Sequence, residues 1–251
     1  MKGIFLGKSP IEGHCKGIDA LSYLIKKKIE IVCVVTTDNN LINFCKENNL
    51  KIKNIKDVYS EIESGKIKNL DFSISYGFME RISPILINAN KIGCVNFHPA
   101  PLPEWRGMGG VFNFAIFEKV KEWGVTSHFI DEDFDTGDII YSKRYKIDPT
   151  TITLNTLIKQ SHDELFLLFK KTIDLILSNS IISRTPQLKG RYISRKEFNK
   201  LRKINLNESS TIIDNKIKSF WCPPHHGAYI MINNKEYSLV NDQILNKLNN
   251  K

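Results

Sequence analysis

No run of about 18 apolar residues occurs in the 251-residue chain, so a helical membrane span is excluded. No C-x-x-C pair occurs either. The five cysteines are odd in number and scattered, which argues against both a disulfide framework and a zinc ribbon. Residues 1–14 carry only a short apolar patch that breaks into glycine, serine and proline, so they read as a first strand and its turn rather than a signal peptide. With no leader to direct export, the thiols are expected to stay reduced and the chain to be cytoplasmic. Internal repeats are also missing, which excludes a solenoid.

What is present is ordinary for a globular protein: 41% hydrophobic and 25% charged residues. The length suits one large α/β domain with a small appendage. Short apolar runs at 3–7, 29–37, 51–55 and 70–77 alternate with helical patterns at 15–27, 39–49 and 57–66. The run at 29–37 is almost unbroken and β-branched, as expected of a strand covered on both faces. This order predicts a doubly wound, mostly parallel α/β sheet. Further strands are expected at 93–99, 124–132 and 138–147, a helix at 111–119, and a long amphipathic helix at 153–177.

Past Ser180 the pattern changes. A helix at 209–220, capped by Ser209 or Ser210, leads to a rigid Pro-Pro turn and a β-hairpin around Asn233-Asn234. We therefore expect a main domain over 1–181 and a small α+β appendage over 182–251 that ends in the hairpin. The net charge of +9 is concentrated between Arg184 and Lys203, where eight basic residues face Glu197 alone. Such a cluster can attract phosphate, or it can be a solvated linker and helix face.

Three features converge on one edge of the expected sheet. Asn96 and His98 sit two apart on a strand, so both side chains point to one face. The Thr126-Ser127-His128 segment lies on a neighbouring strand, and Asp135 opens an Asp-Thr-Gly turn seven residues after His128. Ligands of open α/β sheets bind at the carboxyl ends of the strands, where these residues lie. An amide, an imidazole and a carboxylate suit acyl transfer to an amine. Asn96 can donate to a developing oxyanion, His98 can move a proton, and Asp135 can orient and stabilise the imidazolium. Taken singly the signals are weak: Asn-x-His is more often structural, and Asp-Thr-Gly is a common turn. An aspartic-protease reading needs a second matching turn that the chain lacks.

The combined pattern is far more specific. Asn96-Phe97-His98-Pro99-Ala100-Pro101-Leu102-Pro103-Glu104-Trp105-Arg106-Gly107, then Gly124-Val125-Thr126-Ser127-His128, then Asp135-Thr136-Gly137, closely resembles the formyltransferase family that uses N10-formyltetrahydrofolate. The resemblance covers roughly residues 1–180. It implies that Asn96, His98 and Asp135 are catalytic, with His128 in support and no metal. It also implies a folate pocket on the segments 76–81 and 130–135, with Phe78, Met79, Arg81, Ile130 and Asp131 as contacts. Arg106, Gly107 and Met108 are expected beside the acceptor.

The C-terminal residues bear on the acceptor. The stretch from Lys218 to Ile230, followed by a hairpin, looks like the end of the sugar N-formyltransferases acting on dTDP-linked amino-dideoxy sugars for surface polysaccharides. Phe220, Trp221 and Tyr229 offer flat faces for a base, or else packing within the appendage. Cys222, His225 and His226 are too crowded, and one ligand short, for a metal site. A methionyl-tRNA formyltransferase is the alternative reading. The 71 residues after Ser180 are tight for that enzyme's larger C-terminal barrel. A nucleotide sugar is thus the expected partner rather than nucleic acid or membrane, and a homodimer is expected through the 182–251 appendage, where Trp221 and the two prolines can form the contact.

Overall fold

A computed structural model describes residues 1–9, 14–107, 110–178 and 180–249. The residues group into two compact units. The first holds Met1–Arg106, Gly124–Arg144 and Ser161–Arg191; the second holds Gly107–Trp123, Tyr145–Gln160 and the chain from Tyr192 on.

The first unit is built on the seven-stranded sheet of order β3-β2-β1-β4-β5-β6-β7. Its strands are β1 (Lys2–Gly7), β2 (Glu30–Val35), β3 (Ile52–Lys53), β4 (Leu70–Tyr76), β5 (Asn90–His98), β6 (Glu122–Phe129) and β7 (Ile139–Lys146). Strands β3, β2, β1, β4 and β5 pair in parallel, and β6 runs antiparallel to β5. The mostly parallel, doubly wound sheet expected from the alternation of patterns is therefore present. The step from β1 outwards, first to β2 and then back to β4, is the topological switch that opens a crevice at the strand ends.

Burial on both faces explains the unbroken apolar runs. Along β1, Phe5 joins a cluster with Leu21, Leu24, Leu165 and Phe169, residues of α1 (Gly17–Lys26) and α6 (Leu154–Leu177). Ile4 and Leu6 turn to the other face, where they meet Val58 of α3 (Ile55–Glu63) and Leu86 of α4 (Pro84–Asn88). The same alternation runs along β5, with Val95 and Phe97 on the first face and Cys94 on the second. Helix α2 (Asn39–Glu47) adds Leu41 and Cys45 to the first cluster and is capped by Asp38, whose side chain accepts from the Leu41 N–H.

The second unit contains α5 (Val111–Phe117), α7 (Arg195–Arg202), α8 (Ser210–Phe220), the hairpin β8 (Tyr229–Ile232) and β9 (Lys235–Ser238), and α9 (Asp242–Asn249). Its core is Ile204, Ile217, Phe220, Ala228 and Ile244. Ser209 caps α8 as expected. Asn233 and Asn234 both take positive φ, 49° and 62°, which a two-residue turn matched to strand twist requires. Helices α4, α7 and α9 are additions to the sequence reading. No helix among the described residues is long and apolar enough to cross a membrane.

Candidate active site

The parity of the strands decides which side chains meet. On β4, Phe72, Ile74 and Tyr76 face the α1/α6 cluster, so Ser73 and Ser75 face the other way. On β5 the same rule puts Asn96 and His98 with Cys94, and on β6 it puts Thr126 and His128 opposite to Val125 and Phe129. The register then aligns Ser75 with Asn96, Asn96 with His128 and His98 with Thr126. A polar strip thus crosses three strands of an otherwise apolar sheet.

Every member of the strip is held. Ser75 Oγ donates to Asn96 Oδ1 at 2.8 Å, which turns the amide's Nδ2 away from β4 and towards β6. There Nδ2 lies 3.0 Å from His128 Nε2 and 3.5 Å from Asp135 Oδ1. His128 Nδ1 lies 2.7 Å from the Phe129 carbonyl, which can only accept, so the proton of neutral His128 sits on Nδ1. Nε2 is left as the acceptor for Asn96. Buried Thr126 accepts from the Leu102 N–H at 3.1 Å and donates to the Ala100 carbonyl at 3.0 Å, tying down the loop that follows His98.

His98 is gripped at both ring nitrogens. Nε2 is 2.7 Å from the Trp105 carbonyl and therefore carries a hydrogen. Nδ1 is 3.5 Å from Asp135 Oδ1, with the two side chains only 9% and 10% exposed. Nδ1 is thus the nitrogen at which a proton can be gained or lost, and the Asp135 carboxylate stands beside it. Asp135 stands at φ 58°, in the left-handed region that Asp and Asn tolerate best among residues with a Cβ. Two residues on, Gly137 is packed so closely that an added Cβ would lie 2.1 Å from the Phe129 carbonyl. The turn is therefore pressed against the end of β6.

The structure brings Asn96, His98, His128 and Asp135 together. The segments read as folate contacts are also joined: the Arg81 guanidinium donates to the Glu132 carbonyl and lies 3.3 Å from Asp133 Oδ1. Phe78 and Ile130 are half-buried against one cluster, and the Ile130 N–H donates to the Cys94 carbonyl at 2.8 Å. Met79 is exposed, and Asp131 accepts from Thr136 Oγ1 at 2.6 Å within its own turn.

The residues read as acceptor contacts fare differently. The Arg106 guanidinium is occupied by Gln187 Oε1, at 3.2 Å from Nε and 2.9 Å from Nη2, and by the Leu188 carbonyl at 2.8 Å. Gly107 is buried at φ 100° with its backbone near the Ile193 carbonyl. Met108 lies outside the described residues. Phe220 must be corrected: it is 2% exposed and packs edge-on to Phe198 at 5.2 Å, so its ring serves the core of the second unit and offers no face to a base. Tyr229 carries Arg202 over its ring at 4.5 Å, and Trp221 is half-buried against the same core. The four arginines of the basic stretch are engaged as well. Arg184 sits 3.6 Å over Phe129, Arg191 over Trp105, Arg195 over Phe198, and Arg202 pairs with Glu236. Among the described residues no group of three or more His, Cys, Asp or Glu is placed to hold a metal ion.

Ser75 and the Trp105 carbonyl were missed by sequence reasoning, and Thr126 was read only as part of the 126–128 segment. The signal for Ser75 was available: serines at 73 and 75 alternate with large apolar residues in a strand buried on both faces, where a polar group needs a partner.

At the ends of β4, β5 and β6 an amide, an imidazole and a carboxylate thus converge on an α/β sheet. A family model described as formyl transferase matches residues 19–169, and the chain belongs to that family. The methionyl-tRNA formyltransferase of Clostridium tetani is 31% identical over 175 residues, covering 68% of this chain and 55% of that protein. The chain thus spans about half the length of the curated relative it matches. Among solved structures, a 4-N formyltransferase from Francisella tularensis superposes with a TM-score of 0.75 at 22% identity, over 96% of both chains. WlaRD, a sugar 3N-formyl transferase solved in the presence of dTDP and 5-N-formyl-THF, gives 0.69 at 26% identity over 94% of this chain and 84% of its own.

Proposed function

We propose that the chain transfers the formyl group of N10-formyltetrahydrofolate to the amine of a nucleotide-linked amino-dideoxy sugar, dTDP-4-amino-4,6-dideoxyglucose or its 3-amino isomer, for surface polysaccharide. The observation that carries the transferase chemistry is the convergence of Asn96, His98 and Asp135 at one carboxylate oxygen. The folate is assigned to the joined segments 76–81 and 130–135, where half-buried Phe78 and Ile130 offer apolar cover and backbone groups offer hydrogen bonds.

In this reading a neutral amine forms a bond to the formyl carbon while the carbonyl oxygen gains charge. Asn96 Nδ2, which Ser75 turns away from β4, donates to that oxygen in place of its long, 3.5 Å contact with Asp135. His98 takes the amine proton at Nδ1 and returns it to the leaving N10 as the old C–N bond breaks, leaving a formamide and tetrahydrofolate. Asp135 offsets the positive charge on the ring between the two transfers.

Coverage supports a sugar acceptor. The match to WlaRD runs through 94% of this chain and so takes in its C-terminal segment, whereas the Clostridium tetani match spans 68%. The higher identity of the latter, 31%, favours initiator tRNA as the second reading. A formyl-transfer assay offering dTDP-3-amino and dTDP-4-amino sugars beside charged initiator tRNA decides between them. Turnover of a sugar with no tRNA present is expected, independent of salt. Transfer to tRNA alone, falling steeply with salt, would reverse the assignment.

A further inference from the structure

The two loops that grip His98 come from distant parts of the chain, and a third segment spans them. We propose that Gln187 is a positioning residue for formyl transfer, clasping the loop after His98 to the turn that carries Asp135. This proposal rests on the catalytic reading of His98 and Asp135 given above.

Gln187 uses both ends of its amide. Nε2 donates to the Gly137 carbonyl at 2.6 Å, and Oε1 accepts from Arg106 Nε and Nη2 at 3.2 and 2.9 Å. Gly137 is two residues beyond Asp135, whose carboxylate faces His98 Nδ1. Arg106 follows Trp105, whose carbonyl holds His98 Nε2. One side chain therefore ties the support of one ring nitrogen to the support of the other.

The segment that presents Gln187 is itself anchored on both sides. Thr185 and Ile139 exchange two backbone hydrogen bonds, of 2.9 and 3.0 Å, just past the Asp135 turn. Towards the other loop, the Arg106 N–H donates to the Arg191 carbonyl at 3.0 Å, and Arg106 Nη2 donates to the Leu188 carbonyl at 2.8 Å. Gly190 lies so close to Pro103 that a Cβ there would fall 1.7 Å from the Pro103 carbonyl, so only glycine fits. Before it, Arg184 covers Phe129 and donates to the Ile92 carbonyl at 3.0 Å. Residues 184–191 thus run as a strap fixed to both loops, with Gln187 as the only side chain of that strap shown bonding to both.

Precision at this point matters because the His98–Asp135 contact is already 3.5 Å, and misplacing a reacting group by about 1 Å can cost roughly 100-fold in rate. Gln187 touches no reacting atom in this arrangement. Its loss should lower kcat and leave substrate binding largely intact.

The test measures steady-state formyl transfer and thermal melting for Gln187→Ala, Gln187→Glu and Asp135→Asn, and for Gln187→Ala combined with Asp135→Asn. The donor is N10-formyltetrahydrofolate, and the acceptor is whichever of the two dTDP-amino sugars or initiator tRNA turns over. Gln187→Ala should lose about 10- to 100-fold in kcat, with KM for the donor within about twofold. Gln187→Glu should fall similarly, because it keeps the acceptor for Arg106 but sets a carboxylate oxygen against the Gly137 carbonyl. In the Asp135→Asn background the second substitution should add less than about threefold, since both act through the same contact. Should Gln187→Ala fail to fold, the volume-conserving Gln187→Met takes its place. Full kcat in the alanine or methionine variant, or losses that multiply in the double variant, would overturn the proposal while leaving the catalytic reading standing. Parent-level kcat in Asp135→Asn alone would instead overturn the catalytic reading and the clasp with it.

Discussion

At the scale of single residues, the site works by leaving few groups a choice. The Phe129 carbonyl fixes the His128 tautomer, His128 accepts from Asn96, and Ser75 decides which end of the Asn96 amide faces outward. An asparagine amide rotated by half a turn would present its oxygen to the oxyanion, which is repulsive. Ser75→Ala removes the hydrogen bond that selects the working orientation. A bond of this kind contributes about 0.5–1.5 kcal/mol, so kcat should fall about 3- to 10-fold, and Ser75→Thr should restore part of it. Steady-state rates of the two variants check this; equal rates in Ser75→Ala and parent would show that the amide is oriented by other means. Asn96, His98 and Asp135 were legible in the sequence because their spacing on a strand and a turn matches a known motif. Ser75 and Trp105 were not read, because one looks like a strand filler and the other acts through its backbone carbonyl, which no side-chain pattern reports.

At the scale of elements, the legible parts were those with a strong period. Strands buried on both faces and the long helix α6 stand close to their expected limits. Helix α7 escaped because its apolar stripe is only Phe198 and Leu201, half-buried against the second unit's core and set among charged residues. Its cap was nonetheless written in the chain. Ser194 Oγ accepts from the Glu197 N–H at 3.2 Å, and Glu197 returns a bond to the Ser194 N–H at 2.8 Å, a reciprocal capping box. With only Phe198 and Leu201 packed, α7 depends on that box more than a fully packed helix would. Ser194→Ala should cost about 1 kcal/mol of stability, read as a lowered urea midpoint, with kcat unchanged. A midpoint equal to the parent's would mean the helix is held by its neighbours instead. The basic residues around α7 were ambiguous in the sequence for a physical reason: charge is visible in composition, whereas the aromatic rings and carbonyls that occupy Arg184, Arg191, Arg195 and Arg202 are brought by the fold.

At the scale of the whole molecule, stability should depend on pH through a group outside the site. Half-buried His162 has its pKa pushed down to about 4, mainly by lost hydration and then by repulsion from His14, with Asp163 opposing. In the unfolded chain the same ring titrates near 6.5, so between pH 6.5 and 4 the unfolded form binds the proton and the folded form does not. Its contribution to stability is therefore full above pH 6.5 and lost as pH falls towards 4, at up to ~1.4 kcal/mol per pH unit. Urea midpoints measured at pH 7, 6 and 5 should decline less in His162→Gln than in the parent. Identical slopes would assign the acid sensitivity to other groups.

The central claim is that His98 moves the proton between two nitrogens, with Asn96 and Asp135 at its side. Single-turnover formyl transfer by His98→Asn tests it most directly, alongside a far-UV spectrum to show that the fold is kept. Proton transfer by a placed side chain contributes roughly 10²–10⁴ in rate, so the account predicts a loss of at least about 100-fold in a folded protein. Transfer within a few-fold of the parent rate would contradict it.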